Sequence, residues 1–276
     1  MKTHKYLKRD IRLGIIQRSY LYIIAIMFSC VTVYQCSTVI SGIKDINYMW
    51  SDGTVMDYWL FAMRGMAFYR FDPTKSFEIP MLWFIFQIGI SYFIAYYAEK
   101  DLKDNGLNSM IAGRSREAWW TAKMAWCALS VLIYYVIAFV SCTVVSLIKG
   151  ASLSMKITDE FTKFFFGYNM TYLSYSDLML IVVIVPVLVT ISICLIQLYL
   201  SFVLSPVTSF ALISGLYILS AYYTAWFLPG NYTMWLRSSY YIENGVSPLS
   251  GLIFALFVVV AVFFLGHDYF RRKDIL

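Results

Sequence analysis

The sequence predicts an all-α integral membrane protein of six transmembrane helices, and three observations lead there. Its 276 residues are 60% hydrophobic and 14% charged, with a mean hydropathy of +0.66, outside the usual range of soluble domains. The charges are absent from long stretches, and the Lys and Arg residues fall mostly between alternate stretches.

A helix needs about 20 apolar residues to cross roughly 30 Å of hydrocarbon. Uncharged runs of that length occupy 19–43, 79–98 and 124–148, one span each. The run from Leu178 to Leu236 would measure roughly 88 Å at about 1.5 Å per residue. Ser201, Ser205 and Pro206 punctuate it, so it reads as spans 178–200 and 207–228 joined by a tight hairpin. The last span is 248–266, before the charged tail HDYFRRKDIL. The chain therefore reads as one membrane domain over 1–276. Ala211 and Gly215 suggest close packing on the fifth helix.

Orientation follows from the resistance of Lys and Arg to translocation. The N-terminal tail carries six, residues 99–123 five and the C-terminal tail three, against eight on the other side. Both termini are expected to be cytoplasmic, in the plasma membrane of a bacterium. The formal charge of +6 is then a topology signal and gives no reason to expect nucleic-acid binding. The first apolar run is longer than a signal-peptide core and lacks an A-x-A cleavage pattern, so the first helix is expected to stay. All five cysteines fall inside spans, implying no disulfide framework. The sequons at Asn169 and Asn231 carry no weight without a glycosylating host.

The spans contain no ionisable group, which argues against ion-coupled transport. The only histidines, His4 and His267, lie near the two ends, which leaves no buried His site for hydrolysis or metal binding. Thr32, Gln35, Gln87, Ser91 and Gln197 are the polar groups that could line a path, although such residues more often serve as interhelical hydrogen-bond glue. The stretches 55–71 and 161–175 are rich in aromatic residues and Met, as expected of interfacial belts or of surfaces that adapt to apolar partners.

Two basic segments have more structure than a flank requires. In KYLKRDIRLGIIQRSY, Lys5, Lys8, Arg9 and Arg12 form one helical stripe and Leu7, Ile11 and Ile15 another, the pattern of an interfacial amphipathic helix. Between spans two and three, Asp104-Asn105-Gly106 signals a turn. Leu107 to Ala112 gives about two helical turns, Gly113 a break, and Ser115 a cap for a helix running through Trp119 and Trp120 at the interface. Leu107, Met110 and Ile111 share one side, a shape suited to a partner's groove.

That loop resembles the coupling segment of ABC-2-type export permeases, which also have six spans. Their pattern is an acidic stretch, a Gly, a short Leu-rich helix, then Ser-Arg and a Lys opening the third span. This chain offers Glu99, Asp101, Asp104, Gly106, Leu107, Met110, Ile111, Ser115, Arg116 and Lys123. It departs in Gly113, where Pro is common, and in Asn108, where an acid is common. YFRRKDIL is similar to the family's basic closing segment. The resemblance implies a short cytoplasmic coupling helix, with Asp104, Gly106, Leu107, Asn108, Met110, Ile111, Arg114 and Arg116 facing an ATPase, and an N-terminal helix (Leu7, Arg9, Ile11, Arg12, Ile15) that helps contact it. No G-x-x-x-x-G-K-[ST] loop occurs, so this chain is not expected to be an enzyme or to bind a cofactor; ATP and Mg would sit on a separate ATPase subunit. A second permease chain, identical or related, would complete the path in the lipid bilayer. An uncharged path suits amphiphilic cargo, and family members that export amphipathic peptides such as phenol-soluble modulins resemble this chain in size and style. The alternatives are a passive pore, which needs a polar constriction, and a non-transporting anchor or sensor.

Overall fold

The computed structural model describes residues 2–45, 50–69, 74, 76–101, 115–167 and 172–272. Among them the regular structure is helical throughout, with two isolated bridges and no strand. Five helices are long and apolar enough to cross a membrane. The chain begins with α1 (Lys2–Asp10), a π-helical stretch (Ile11–Ile16) and one 3-10 turn (Ser19–Tyr22) that leads into α2 (Ile23–Lys44). Then come the short α3 (Val55–Ala62), α4 (Met81–Asp101), α5 (Arg116–Ile148) and α6 (Asp159–Phe166). α7 (Tyr175–Met179), a π-helical stretch (Leu180–Ile184) and α8 (Val185–Val203) form one continuous helical run, one of the five, followed by α9 (Pro206–Tyr222) and α10 (Pro248–Arg272).

Local signals in the sequence set several boundaries. Ser115 caps α5 by accepting a hydrogen bond from the Ala118 N–H at 3.3 Å, with Glu117 in the first turn. Ser205 does the same for α9 at Thr208, 3.1 Å, with Pro206 in the first turn where no N–H is missed. Helix α5 starts at Arg116, directly after the expected Ser115 cap and eight residues before the uncharged run of the third span, so Lys123 lies within it. Trp119 and Trp120 are wholly buried, packed against Phe202 and Phe270. Ala211 is exposed and nothing among the described residues approaches Gly215, so the close packing suggested by this pair is not made there.

The bundle is joined by polar groups used between helices. Gln87 of α4 donates to the Tyr135 hydroxyl at 3.2 Å and accepts from Thr190 at 3.1 Å and Tyr217 at 3.3 Å. One amide thus links α4, α5, α8 and α9 in an apolar interior, where an unmade bond is costly. Ser29 donates to the Ala138 carbonyl at 2.7 Å, and Gln197 to Ser209 at 3.3 Å. Among the expected path residues, Gln87, Gln197 and Thr32 are therefore engaged inside the chain, Thr32 with the carbonyls of its own helix. Ser91 is buried, and Gln35 is exposed.

At the end away from α1, the first part of the aromatic stretch 55–71 goes inside, while Phe68 stays exposed, as do Phe164, Tyr172 and Tyr175 of the stretch 161–175. All eight residues of α3 are buried. Asp57, in its first turn, forms a capping box with Thr54 and also accepts from the Thr158 N–H at 2.9 Å and hydroxyl at 3.0 Å. Burial raises the Asp57 pKa, partly offset by these bonds. Past α9 the helix stops at Tyr222, short of the expected 228, and the chain from Leu228 to Ser238 is buried as 3-10 turns among the helices. The reason is Arg237, fully buried, whose guanidinium donates to the carbonyls of Ser220 (2.7 Å), Tyr223 (3.0 Å) and Ala221 and to Asn231 Oδ1 (2.9 Å). The last carbonyls of a helix lack helical partners and carry its negative dipole end. A fork of five donors satisfies several at once. The same bonds keep Asn231 of the sequon inside.

With no carboxylate among these partners, burial alone moves the Arg237 pKa, down to about 10. Arg237→Gln should destabilise the chain by roughly 3 kcal/mol or more, and Arg237→Lys should recover only part, since one ammonium cannot span the same carbonyls. Thermal unfolding in detergent checks the order wild type, Lys, Gln.

Candidate functional site: an ionic cluster at the N-terminal helix

Arg9 and Asp10 are the last two residues of α1, and the amphipathic pattern explains their placement. Lys5, Lys8 and Arg12 face outward, while Leu7, Ile11 and Ile15 pack on the core. Asp10, one residue before the π-helical stretch, turns inward and is wholly buried. Four residues on, Gly14 lets the backbone press against α4 and α5: a Cβ there would stand 2.5 Å from Trp126 Nε1 and 2.8 Å from Tyr97 Cζ. Any side chain there would displace the Trp126 and Tyr97 rings or the helical segment itself.

The close approach brings Asp10 to Lys123 of α5 and to the end of α4. Lys123 Nζ lies 2.7 Å from Asp10 Oδ1 and 2.7 Å from Asp101 Oδ2. Arg9 Nη2 donates to both Asp101 oxygens, at 2.9 and 2.8 Å, and the Tyr97 hydroxyl donates to Asp10 at 3.1 Å. Lys123, Asp10 and Asp101 are essentially removed from solvent, and the Arg9 side chain is 23% exposed. The Lys123 ammonium is also walled by the rings of Tyr97, Trp119 and Trp126, 4.9 to 5.9 Å away, where cation–π attraction strengthens with desolvation. Two cations and two carboxylates leave the cluster neutral.

Burial raises the Asp10 pKa; the Lys123 charge and hydrogen bond oppose that rise, Asp101 adds to it and Arg9 opposes it. Beside the cluster, Leu13, Gln17, Arg18, Tyr96, Glu99 and Lys100 line part of an open recess of about 510 Å³.

Chemically this is a clasp of ion pairs, and among the described residues no group of His, Cys, Asp or Glu could hold a metal. What it does is fasten the N-terminal helix to both flanks of residues 102–114, through Asp101 on one side and Lys123 on the other. Of the residues expected to face a partner, Asp104, Gly106, Leu107, Asn108, Met110, Ile111 and Arg114 lie outside the described residues. Arg116 donates to the carbonyls of Phe270 at 3.2 Å and Arg271 at 3.3 Å, tying the start of α5 to the last turn of α10. Sequence reasoning placed Arg9, Asp101 and Lys123 in relevant segments but missed Asp10. Its one signal was an acid in an otherwise basic tail. No family model matches this chain, and neither does a curated protein or a solved structure.

Lys123→Met keeps the side-chain length and removes the charge, leaving Asp10 without its main counter-charge. A carboxylate whose folded pKa is raised favours folding below its unfolded value, here 3.8, and that contribution is lost as pH rises through the folded pKa. Without Lys123 the folded pKa rises further, so the variant should be close to wild type near pH 4 and fall behind as pH increases, by about 3–5 kcal/mol at neutral pH. Unfolding midpoints across pH 4 to 8 check this trend.

Proposed function

We propose that this chain is the transmembrane subunit of an ATP-driven exporter of the ABC-2 type, with both termini in the bacterial cytoplasm and α9 as the shorter sixth crossing. In this reading residues 107–112 form the coupling helix that docks on a separate ATPase, which supplies ATP and Mg. A second permease chain completes the path, and the cargo is an amphipathic peptide or other amphiphile moved outward.

The observation that carries the reading is the clasp. A helix inserted into an ATPase groove transmits force only if its flanks are fixed to the spans, because an element with two discrete arrangements has to be biased as a unit. Asp101 and Lys123 flank the segment and are bonded to each other, and Arg9 and Asp10 add α1 to the same unit. Closure of the ATPase would then move α1, α4 and α5 together. The apolar character of the five long helices and the use of Gln87 and Gln197 between helices fit a path formed between two chains better than a polar pore within one.

The test is co-purification with the cognate ATPase in nanodiscs, followed by nucleotide hydrolysis with amphipathic peptides added. Leu107→Asp combined with Met110→Asp should abolish ATPase binding and peptide-stimulated hydrolysis while leaving the thermal midpoint of the permease chain unchanged. Retention of both binding and stimulation in the double variant would contradict the docking assignment.

A further inference from the structure

At the opposite end from the clasp, Arg64 is a cation with no carboxylate beside it among the described residues. It follows α3, where Gly65 turns the chain at a φ of +64°, and a side chain at Gly65 would run into Met234. The turn sets Arg64 in the wall of a recess of about 270 Å³ bounded by α2, the end of α3 and the start of α4. Its guanidinium lies 3.5 Å from the centre of the Phe61 ring, and among the described residues no carboxylate pairs with it. Burial pushes its pKa down, the response of a charge losing water. The contrast with Arg237 is instructive, because that arginine is buried more deeply but spends its donors on carbonyls.

Two other polar features of the recess can donate. Gln35 of α2 shares the wall and is exposed. Helix α4 begins at Met81 in the same wall, so its first-turn N–H groups at Leu82 and Trp83 have no helical carbonyl and carry the positive end of the dipole. One turn along the same helices, Val31 and Ile85 are exposed apolar side chains, as is Met81 itself.

We propose that this recess binds the phosphate of an anionic phospholipid, with the Arg64 guanidinium as the charge partner, Gln35 and the α4 N-terminus as further donors, and the acyl chains lying along the apolar faces of α2 and α4. A free anion would have no use for those faces. One turn of a peptide helix, about 10–12 Å across with its side chains and 5.4 Å long, occupies more than the roughly 270 Å³ of the recess. The inference is independent of the export reading, since it uses none of the clasp residues and no ATPase.

Native mass spectrometry of the purified chain titrated with phosphatidylglycerol, with phosphatidylcholine and inorganic phosphate as comparisons, tests it. Loss of a charge-assisted contact should weaken phosphatidylglycerol retention about tenfold in Arg64→Gln, and Arg64→Lys should keep most of it. Wild-type chain should prefer phosphatidylglycerol to phosphatidylcholine and release neither to millimolar inorganic phosphate. Unchanged retention in a folded Arg64→Gln chain would overturn the proposal, and displacement by inorganic phosphate would overturn the lipid as the source of the anion. If Arg64→Gln does not fold, Gln35→Leu, at an exposed position, decides: about threefold weaker retention supports the site and wild-type retention overturns it.

Discussion

A charge taken out of water at the end of a helix bundle costs several kcal/mol unless another charge and enough hydrogen bonds meet it there, and Arg9, Asp10, Asp101 and Lys123 meet one another. No one of them would be stable in its place alone. Lys123 sits wholly inside α5 because two carboxylates lie 2.7 Å from its ammonium. Asp10 is buried because Lys123 and the Tyr97 hydroxyl reach it. The mutual dependence turns an amphipathic N-terminal segment, which by its pattern alone could lie anywhere on a membrane surface, into a fixed part of the bundle. Gly14, pressed against Tyr97 and Trp126, is the steric condition for the same contact.

The far end solves the same problem with neutral groups. Arg237 is met by main-chain carbonyls and Asn231, and Asp57 by N–H and hydroxyl groups of Thr54 and Thr158. Each fixes a neighbouring segment: Asp57 holds Thr158 to α3, and Arg237 draws Leu228–Ser238 into the interior. Between the two ends, Gln87 joins four helices by its single amide. Dispersion and polar glue hold helices together in lipid, where apolar burial between helices gives little drive. The outward faces of α2, α9 and α10, with Met27, Leu212, Phe257 and Phe264 exposed, are suited to hydrocarbon or to another chain.

Much of the helical plan was legible because it depends on local rules. The absence of charge marks helices long enough for a bilayer, Ser115 and Ser205-Pro206 mark starts, and the two stripes of the tail mark which side of α1 packs. What stayed hidden depends on partners distant in sequence. Asp10 and Lys123 are 113 positions apart, so no window contains both, and each looks like a solvated charge at the edge of a span. A rule that ends a span at the nearest charge therefore began the third at 124, although the helix starts at Arg116. Arg237 misled in the same way: its partners are carbonyls, which every residue has, and nothing in the composition of LPGNYTMWLRS distinguishes a buried cap from a surface loop. Of the site itself, the basic tail and the flanks of residues 102–114 were visible, but the clasp joining them was not.

The central claim is that the clasp fixes α1 to α4 and α5 as one unit. Hydrogen–deuterium exchange of the intact chain in nanodiscs, comparing wild type with Asp101→Asn, tests it most directly. Asp101 bonds both Arg9 and Lys123, so its neutralisation should raise exchange through residues 2–16 and the first turns of α5, while α2 and α8 remain as protected as before. Unchanged protection of residues 2–16 would mean that apolar packing alone holds the N-terminal helix, and would contradict the account.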